Sequence, residues 1–299
     1  MGGIGAERDI SIQSGMCVAE ALVLAGFEVL TADVRPEKLD ILEDGSVDVF
    51  FPALHGEFGE DGELQRIFED KGLVYAGSGP AASDRAFDKM AAKAIFAEAS
   101  VLTPDAIRFE CDADGDLAAE QLRGFGGEYV VKPISQGSSV GVSIISGVQE
   151  TIEAARKTAS EFGDCMIEEF IAGRELTVGI LCNEGLPIIE IRPEVGFYDY
   201  HAKYVDEQTR FLFDTVAEPA VVSQLQAVAM DCFVALGCRD FARVDFILED
   251  DNRPYVLEVN TIPGFTSHSL LPKAAAKAGL SMSDLCTKII EAATLECRI

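Results

Sequence analysis

Four side chains near the carboxyl end of the chain have the types and spacing to hold a divalent cation beside an anion. Arg243-Val-Asp245-Phe-Ile-Leu and Tyr255-Val-Leu-Glu258-Val-Asn260 each read as a strand. Residues two apart on a strand share a face, so Arg243 neighbours Asp245 and Glu258 neighbours Asn260. The turn chemistry of Asp250-Asp251-Asn252 between them predicts a hairpin. Pairing the two strands gathers three oxygen donors, Asp245, Glu258 and Asn260, beside one guanidinium. Val244, Phe246, Val256, Leu257 and Val259 supply the packed surface around them. Two carboxylates so placed repel unless a cation lies between them. Oxygen donors without His or Cys suit Mg²⁺, which takes one or two carboxylates and completes its shell with water and substrate phosphate. A solvated edge hairpin is the alternative, since antiparallel sheets commonly wet one face. The loop Thr261-Ile-Pro-Gly-Phe-Thr-Ser-His-Ser269, rich in backbone and hydroxyl donors directly beyond the carboxylates, favours the cation site.

The elements that position this hairpin belong to a chain of 299 residues, 48% of them hydrophobic, enough for about two domains with real cores. Lys and Arg total 24 against 51 Asp and Glu. The net charge of -27 repels a phosphate backbone or an anionic bilayer, so neither nucleic acid nor a membrane is an expected partner. Any bound phosphate compound needs a local cluster of cations. The eight cysteines form no C-x-x-C pair and fit buried thiols in a reducing cytoplasm. No basic start with an apolar run marks a secretory signal, and no uninterrupted apolar stretch is long enough to span a bilayer. A cytosolic location is expected.

The first third alternates helix and strand. A loop composition, Met1-Gly-Gly-Ile-Gly-Ala-Glu7, precedes a helix with Val18, Ala21, Leu22 and Ala25 on one face and Gly26 as its stop. Phe27 to Leu30 and Val47 to Phe51 read as strands, the second apolar enough to be buried on both faces. It runs into Leu54-His55-Gly56, which puts His55 at the carboxyl end of a strand, where open parallel sheets gather ligands. Gly59-Glu-Asp-Gly62 opens the next helix, and a helix from Ser83 to Ala97 carries Lys89. Tyr129-Val-Val-Lys132 is a strand leading to a Gly-Ser loop, Gly137-Ser138-Ser139-Val-Gly141, whose N-H groups can fold over a phosphate. Neither a G-x-x-x-x-G-K-[ST] loop nor a G-x-G-x-x-G after a strand occurs. A helix from Val148 to Phe162 precedes two strands bearing Glu168 and Glu175, which could bond an adenine amine and ribose hydroxyls or be solvated charges. A long aromatic loop, Phe197 to Glu207, has the composition of a functional cover. Helices from Pro219 to Leu236 and from Leu280 to Leu295, the latter capped by Ser281, complete the pattern.

Six motifs now stand in order: Gly-Gly-x-Gly-Ala-Glu-Arg-Asp-Ile-Ser, Ala-Leu-His-Gly-x-x-Gly-Glu-Asp-Gly, Val-Val-Lys-Pro-x-x-x-Gly-Ser-Ser-Val-Gly, Tyr-Asp-Tyr-x-Ala-Lys-Tyr, Ala-Arg-Val-Asp-Phe and Leu-Glu-Val-Asn-Thr-Ile-Pro-Gly-Phe-Thr-Ser-His-Ser. Together they closely resemble the D-alanine-D-alanine ligases of the ATP-grasp superfamily, over almost the whole chain. The resemblance implies an α/β (α+β) ATP-grasp fold in three domains: residues 1–86 for substrate, 87–178 and 179–299 for ATP and metal. It implies that Lys89 and Lys132 contact ATP phosphates, Glu168 the adenine, Glu175 the ribose and Lys203 the terminal phosphate. Asp245, Glu258 and Asn260 become ligands of Mg²⁺, with Mn²⁺ as a substitute. Glu7 would hold the first D-alanine's ammonium in a network with Ser138 and Tyr204, and His55 would lie near that substrate. Ser269 and the N-H of Leu270 would take the second D-alanine's carboxylate, and Arg243 with the N-H of Gly264 would face the developing oxyanion. A homodimer is also implied.

The same resemblance implies the chemistry, in which ATP activates one D-alanine as an acylphosphate and a second D-alanine's amine displaces phosphate, for peptidoglycan synthesis. A ligase for D-lactate or D-serine shares every nucleotide residue, but the Lys203-Tyr204 pair favours D-alanine. A non-catalytic nucleotide sensor is opposed by the complete Arg243, Asp245, Glu258 and Asn260 set. Family members begin with an apolar strand that leads to the Gly-Gly loop, and Met1 stands where that strand should end. The N-terminal parallel sheet is therefore expected to lack its first strand, and the natural start to lie upstream of Met1.

Overall fold

Two antiparallel sheets carry the middle and the carboxyl-terminal parts of the chain, in a computed structural model that describes residues 1–5, 7–193 and 209–295. The first runs in the order β1 (Ala106–Phe109), β4 (Cys165–Glu169), β2 (Glu128–Pro133) and β3 (Ser143–Ser146). Alternation along its strands divides the two faces. Phe109, Tyr129, Val131, Cys165 and Ile167 pack with Leu122, Ile152 and Ala155 of the helical layer, which is α5 (Gly115–Leu122) and α6 (Val148–Phe162). Lys132 and Glu168 alternate with these residues and so leave the opposite face. Helix α6 has the predicted bounds because Gly147 (φ 94°) and Gly163 (φ 81°) adopt backbone that other residues resist at its two ends.

The second sheet has the order β10 (Pro254–Asn260), β9 (Phe241–Leu248), β5 (Arg174–Leu181), β7 (Ile189–Arg192) and β8 (Arg210–Leu212), with β6 (Glu184–Gly185) paired to β5. Strand β5 lies wholly in this sheet and includes residue 178, the expected end of the central domain. Leu176, Val178, Ile180, Val244 and Phe246 bury one face against α7 (Pro219–Leu236). By length and composition alone α7 could cross a membrane, contrary to the expectation that no stretch would qualify. Its apolar character serves the core instead: Leu225, Ala229, Cys232, Phe233 and Leu236 are buried below the sheet. Helices α8 (Leu270–Lys277) and α9 (Met282–Thr294) follow the hairpin, the latter started by a capping box between Ser281 and Asp284.

The amino-terminal region departs most from expectation. Helix α1 (Arg8–Leu24) buries Val18, Ala21 and Leu22 as predicted, but Ala25 is exposed at its end. Helix α2 (Glu63–Asp70) starts at Gly62, where φ is 89°. The single helix expected from Ser83 to Ala97 is two, α3 (Pro80–Phe87) and α4 (Lys89–Glu98). Asp88 breaks them apart: its backbone is extended and its carboxylate accepts from the N-H groups of Met90 and Ala91, both at 2.9 Å.

Neither Phe27 to Leu30 nor Val47 to Phe51 forms a ladder. Among the described residues the parallel pairing there is limited to two isolated bridges, Gly2 with Val34 and Phe50 with Tyr75. The apolar residues of the second run are half-buried rather than enclosed, and with Val29, Val18 and Leu22 they line a cavity of about 630 Å³. A strand forms only where a neighbour lies one ladder spacing away, and here the cavity lies alongside instead. The seven described cysteines are all free thiols.

Candidate active site

Strands β9 and β10 pair as a hairpin, as predicted. Glu258 lies opposite Asp245 and Asn260 opposite Arg243, with a bulge between Val256 and Glu258 that leaves Leu257 half-buried. The bulge corrects the phase, so that both acidic residues and the asparagine reach one face. Arg243 grips Asp245 in a fork, Nε to Oδ1 at 2.9 Å and Nη2 to Oδ2 at 2.8 Å. Thr177 Oγ1 on β5 donates to Asp245 Oδ1 at 2.6 Å, and Asn260 Nδ2 donates to Oδ2 at 3.1 Å. Glu258 Oε2 stands 3.3 Å from Lys89 Nζ, which also donates to the Gln136 carbonyl at 2.8 Å. Each carboxylate thus already has a cationic side chain beside it. Among the described residues no three His, Cys, Asp or Glu side chains cluster as metal ligands. A cation here would rely on two carboxylates, the Asn260 amide oxygen and ligand oxygens, a donor set that fits Mg²⁺.

A cavity of about 70 Å³ adjoins the hairpin and is lined by Glu7, His55, Glu60, Ser138, Arg243, Gly264, Ser269 and Leu270, together with Glu258 and Asn260. Residues more than 250 positions apart in sequence converge on it. Glu7 precedes α1 and accepts a short hydrogen bond from Ser138 Oγ of the Gly-Ser loop. A Cβ at Gly137 or Gly56 would crowd the Glu7 carboxylate, and Gly56 also adopts a φ of 73° that favours glycine. Ser138 and Ser139 adopt positive φ, 52° and 57°, in the turn that brings the hydroxyl round.

His55 is buried and both its ring nitrogens are engaged, Nδ1 with the Ile262 carbonyl at 2.9 Å and Nε2 with Ser14 Oγ at 2.9 Å. A carbonyl only accepts, so Nδ1 carries the proton and Nε2 accepts from Ser14. Burial, reinforced by Arg243, pushes its pKa down to about 4 despite the Ile262 bond. Glu60 accepts from the Gly56 N-H at 2.7 Å, and burial beside Glu7 pushes its pKa up to about 8. At the far side Ser269 precedes α8, its Oγ accepting from the Thr266 N-H at 3.0 Å. The free first N-H groups of that helix, Leu270 among them, suit a carboxylate.

The nucleotide candidates gather beyond Lys89. Lys132 Nζ on β2 lies 2.7 Å from Glu168 Oε2 on β4, and Lys93 Nζ on α4 lies 2.5 Å from Oε1 of the same carboxylate. Burial alone would raise the Glu168 pKa, but the two lysines outweigh it and hold the group below the usual carboxylate range. Glu175 is half-buried on β5. Lys203 and Tyr204 lie outside the described residues. Ser14, Glu60, Lys93 and Thr177 are parts of the arrangement that sequence reasoning missed. Glu60 stood inside the quoted Gly-Glu-Asp-Gly motif and Lys93 one helical turn after Lys89, which were the signals available.

Two helix-backed antiparallel sheets, with lysines and carboxylates buried on the faces that the helices leave open, define an ATP-grasp ligase. The model of the D-ala D-ala ligase C-terminus matches residues 111–291, and that of the N-terminus matches residues 37–78. A D-alanine--D-alanine ligase of Methylacidiphilum infernorum is 39% identical over 290 residues, which are 97% of this chain and 92% of that protein. The crystal structure of D-alanine--D-alanine ligase from Bacillus anthracis superposes with a TM-score of 0.85 at 36% identity, covering 98% of this chain and 95% of that one. The same ligase complexed with ATP gives 0.85 at 34% with the same coverage. VanG D-Ala:D-Ser ligase from Enterococcus faecalis gives 0.84 at 28%, over 98% of both chains. The chain belongs to the D-alanine-D-alanine ligase family.

Proposed function

We propose that this chain joins two molecules of D-alanine with hydrolysis of ATP to ADP and phosphate, through a D-alanyl phosphate, to supply peptidoglycan synthesis. The observation that carries this reading is the convergence of Glu7, His55, Ser138, Arg243, Gly264 and Ser269 on one cavity directly beside Glu258 and Asn260.

The residues divide the work by charge. Glu7, fixed by Ser138, takes the ammonium of the first D-alanine, leaving its carboxylate toward Arg243. That carboxylate attacks the terminal phosphate of ATP, an approach of two anions that Arg243, Lys89, Lys132 and Lys203 make possible by neutralising both. Asp245, Glu258 and Asn260 would hold Mg²⁺, or Mn²⁺ in its place, which would supply charge neutralisation and orientation for the phosphates. Ser269 and the Leu270 N-H hold the second D-alanine by its carboxylate, which points its amine at the acylphosphate carbon. Arg243 and the Gly264 N-H face the tetrahedral oxyanion, which collapses with loss of phosphate as the amide forms. Glu168 and Glu175 read the adenine and ribose. Lys203 and Tyr204 belong to the cover that excludes water from the acylphosphate.

The reading assigns residues 1–86 to substrate binding and the two sheet regions to ATP, places the enzyme in the cytoplasm with its nucleotide, and includes assembly as a homodimer. Phosphate release from ATP with D-alanine alone, and with D-alanine plus D-serine or D-lactate, tests it together with chromatography of the product. D-Alanyl-D-alanine is the expected product. Phosphate release only in the presence of D-serine or D-lactate would reassign the acceptor, and none with any substrate would overturn the ligase reading.

A further inference from the structure

Lys93 has no part in the mechanism above, yet three oxygens hold its ammonium in place. Its side chain is buried on α4, one turn after Lys89. Its ammonium donates to Thr103 Oγ1 and to the Pro104 carbonyl, both at 2.6 Å, and stands 2.5 Å from Glu168 Oε1. Two of its three protons are therefore committed, and Lys93 could turn to a phosphate only by abandoning three oxygens.

Glu168 has the complementary property. Lys132 occupies Oε2 at 2.7 Å and Lys93 stands 2.5 Å from Oε1, an oxygen with a second lone pair. It is a buried, charged acceptor with capacity left for one more donor. When Lys132 turns to an ATP phosphate, Lys93 becomes the remaining counter-charge of a carboxylate that is almost fully enclosed. A carboxylate buried without a partner takes up a proton, and the acid then presents an O-H where an acceptor is needed.

We propose that Lys93 is a positioning residue that holds Glu168 as a charged acceptor for the exocyclic amine of the purine, and thereby sets the selectivity of the site for the base. The inference rests on the reading of Glu168 as the adenine contact. It accounts for the anchoring of Lys93 by Thr103 and Pro104: a lysine that must stay behind while its neighbour moves is tied to backbone and hydroxyl oxygens.

The test compares ATP with purine riboside triphosphate, which lacks only the 6-amino group, in the full enzyme. A hydrogen bond to a charged group predicts that wild type prefers ATP by about tenfold or more in kcat/KM. Glu168→Gln and Lys93→Met should each collapse that preference to less than about threefold, Lys93→Met chiefly by raising KM for ATP rather than by lowering kcat. Wild type showing no preference, or Glu168→Gln retaining it, would remove the adenine reading and this inference with it. A preference lost in Glu168→Gln but kept in Lys93→Met would overturn the inference alone. Should Lys93→Met fail to fold, Thr103→Val decides, because it frees one anchor and leaves the charge: a reduced preference supports the assignment and an unchanged one refutes it.

Discussion

Ser14 Oγ lies 2.9 Å from His55 Nε2 and also accepts the backbone N-H of Phe265 at 3.2 Å. One hydroxyl thus ties α1 to the loop after residue 54 and to the Gly264 turn, which is proposed to face the reacting carbonyl. Removing it in Ser14→Ala leaves a buried N-H and a buried ring nitrogen without their partner, at a cost of about 1 to 3 kcal/mol. KM for D-alanine should rise while KM for ATP holds. Urea denaturation with steady-state kinetics checks both, and an unchanged KM for D-alanine would show that the clasp is not needed to shape the site.

His55 and Glu60 make stability depend on pH in opposite directions. His55, at about 4 when folded, stays neutral where the unfolded chain takes up a proton below about 6.5. Its contribution is full above that value and is lost as pH falls toward 4. Glu60, at about 8 when folded, keeps a proton that the unfolded chain releases above about 4.5. Its contribution is full below that value and is lost as pH rises toward 8. Each group acts at up to about 1.4 kcal/mol per pH unit inside its window. The two slopes oppose each other in mildly acid solution, and Glu60 alone should erode stability from about pH 6.5 to 8. Urea denaturation across pH 5 to 8.5 should show that alkaline decline in wild type and a flatter profile in Glu60→Gln. Equal declines in the two proteins would count against a protonated, half-buried Glu60.

Asp88 begins the helix that carries both Lys89 and Lys93, and its carboxylate satisfies two N-H groups of the first turn. Asp88→Ala should cost about 1 kcal/mol of stability. Because the loosened turn holds Lys89, KM for ATP should rise more than KM for D-alanine. A uniform change in both would mean that the cap serves folding only.

The parts that the sequence makes legible are those whose signals are local. Helix α7 begins at Pro219 and stops before Gly237, and the hairpin turns at Asp250 to Asn252, because each boundary is set by backbone chemistry within a few residues. The runs 27–30 and 47–51 have equally good strand composition, but among the described residues the first forms no bridge and the second a single one, Phe50 with Tyr75, since a strand is completed by a distant neighbour. The helix break at Asp88 is a competition between capping and continuation that apolar periodicity does not register. The shared face of Arg243, Asp245, Glu258 and Asn260 is legible from their spacing along two strands, whereas nothing local in the sequence singles out Lys93 or Glu60. Lys93 is buried and Glu60 half-buried because other segments close over them.

Thr177 extends the hairpin argument to the neighbouring strand. Its hydroxyl donates to Asp245 Oδ1 at 2.6 Å from a buried position on β5, the strand that holds β9 in register. An outer hydrogen bond of this kind fixes the direction of a carboxylate lone pair, and losing one typically weakens a metal site by about 10- to 100-fold. Thr177→Val keeps the shape and removes the donor, so apparent affinity for Mn²⁺ in the presence of ADP, followed by electron paramagnetic resonance, should fall within that range. The Mg²⁺ concentration needed for half-maximal activity should rise in parallel. The Arg243 fork would still orient Asp245, so the loss should stay smaller than in Asp245→Asn, which weakens the fork and removes a charge. Equal losses in the two variants would mean that Thr177 matters to the strand rather than to the carboxylate.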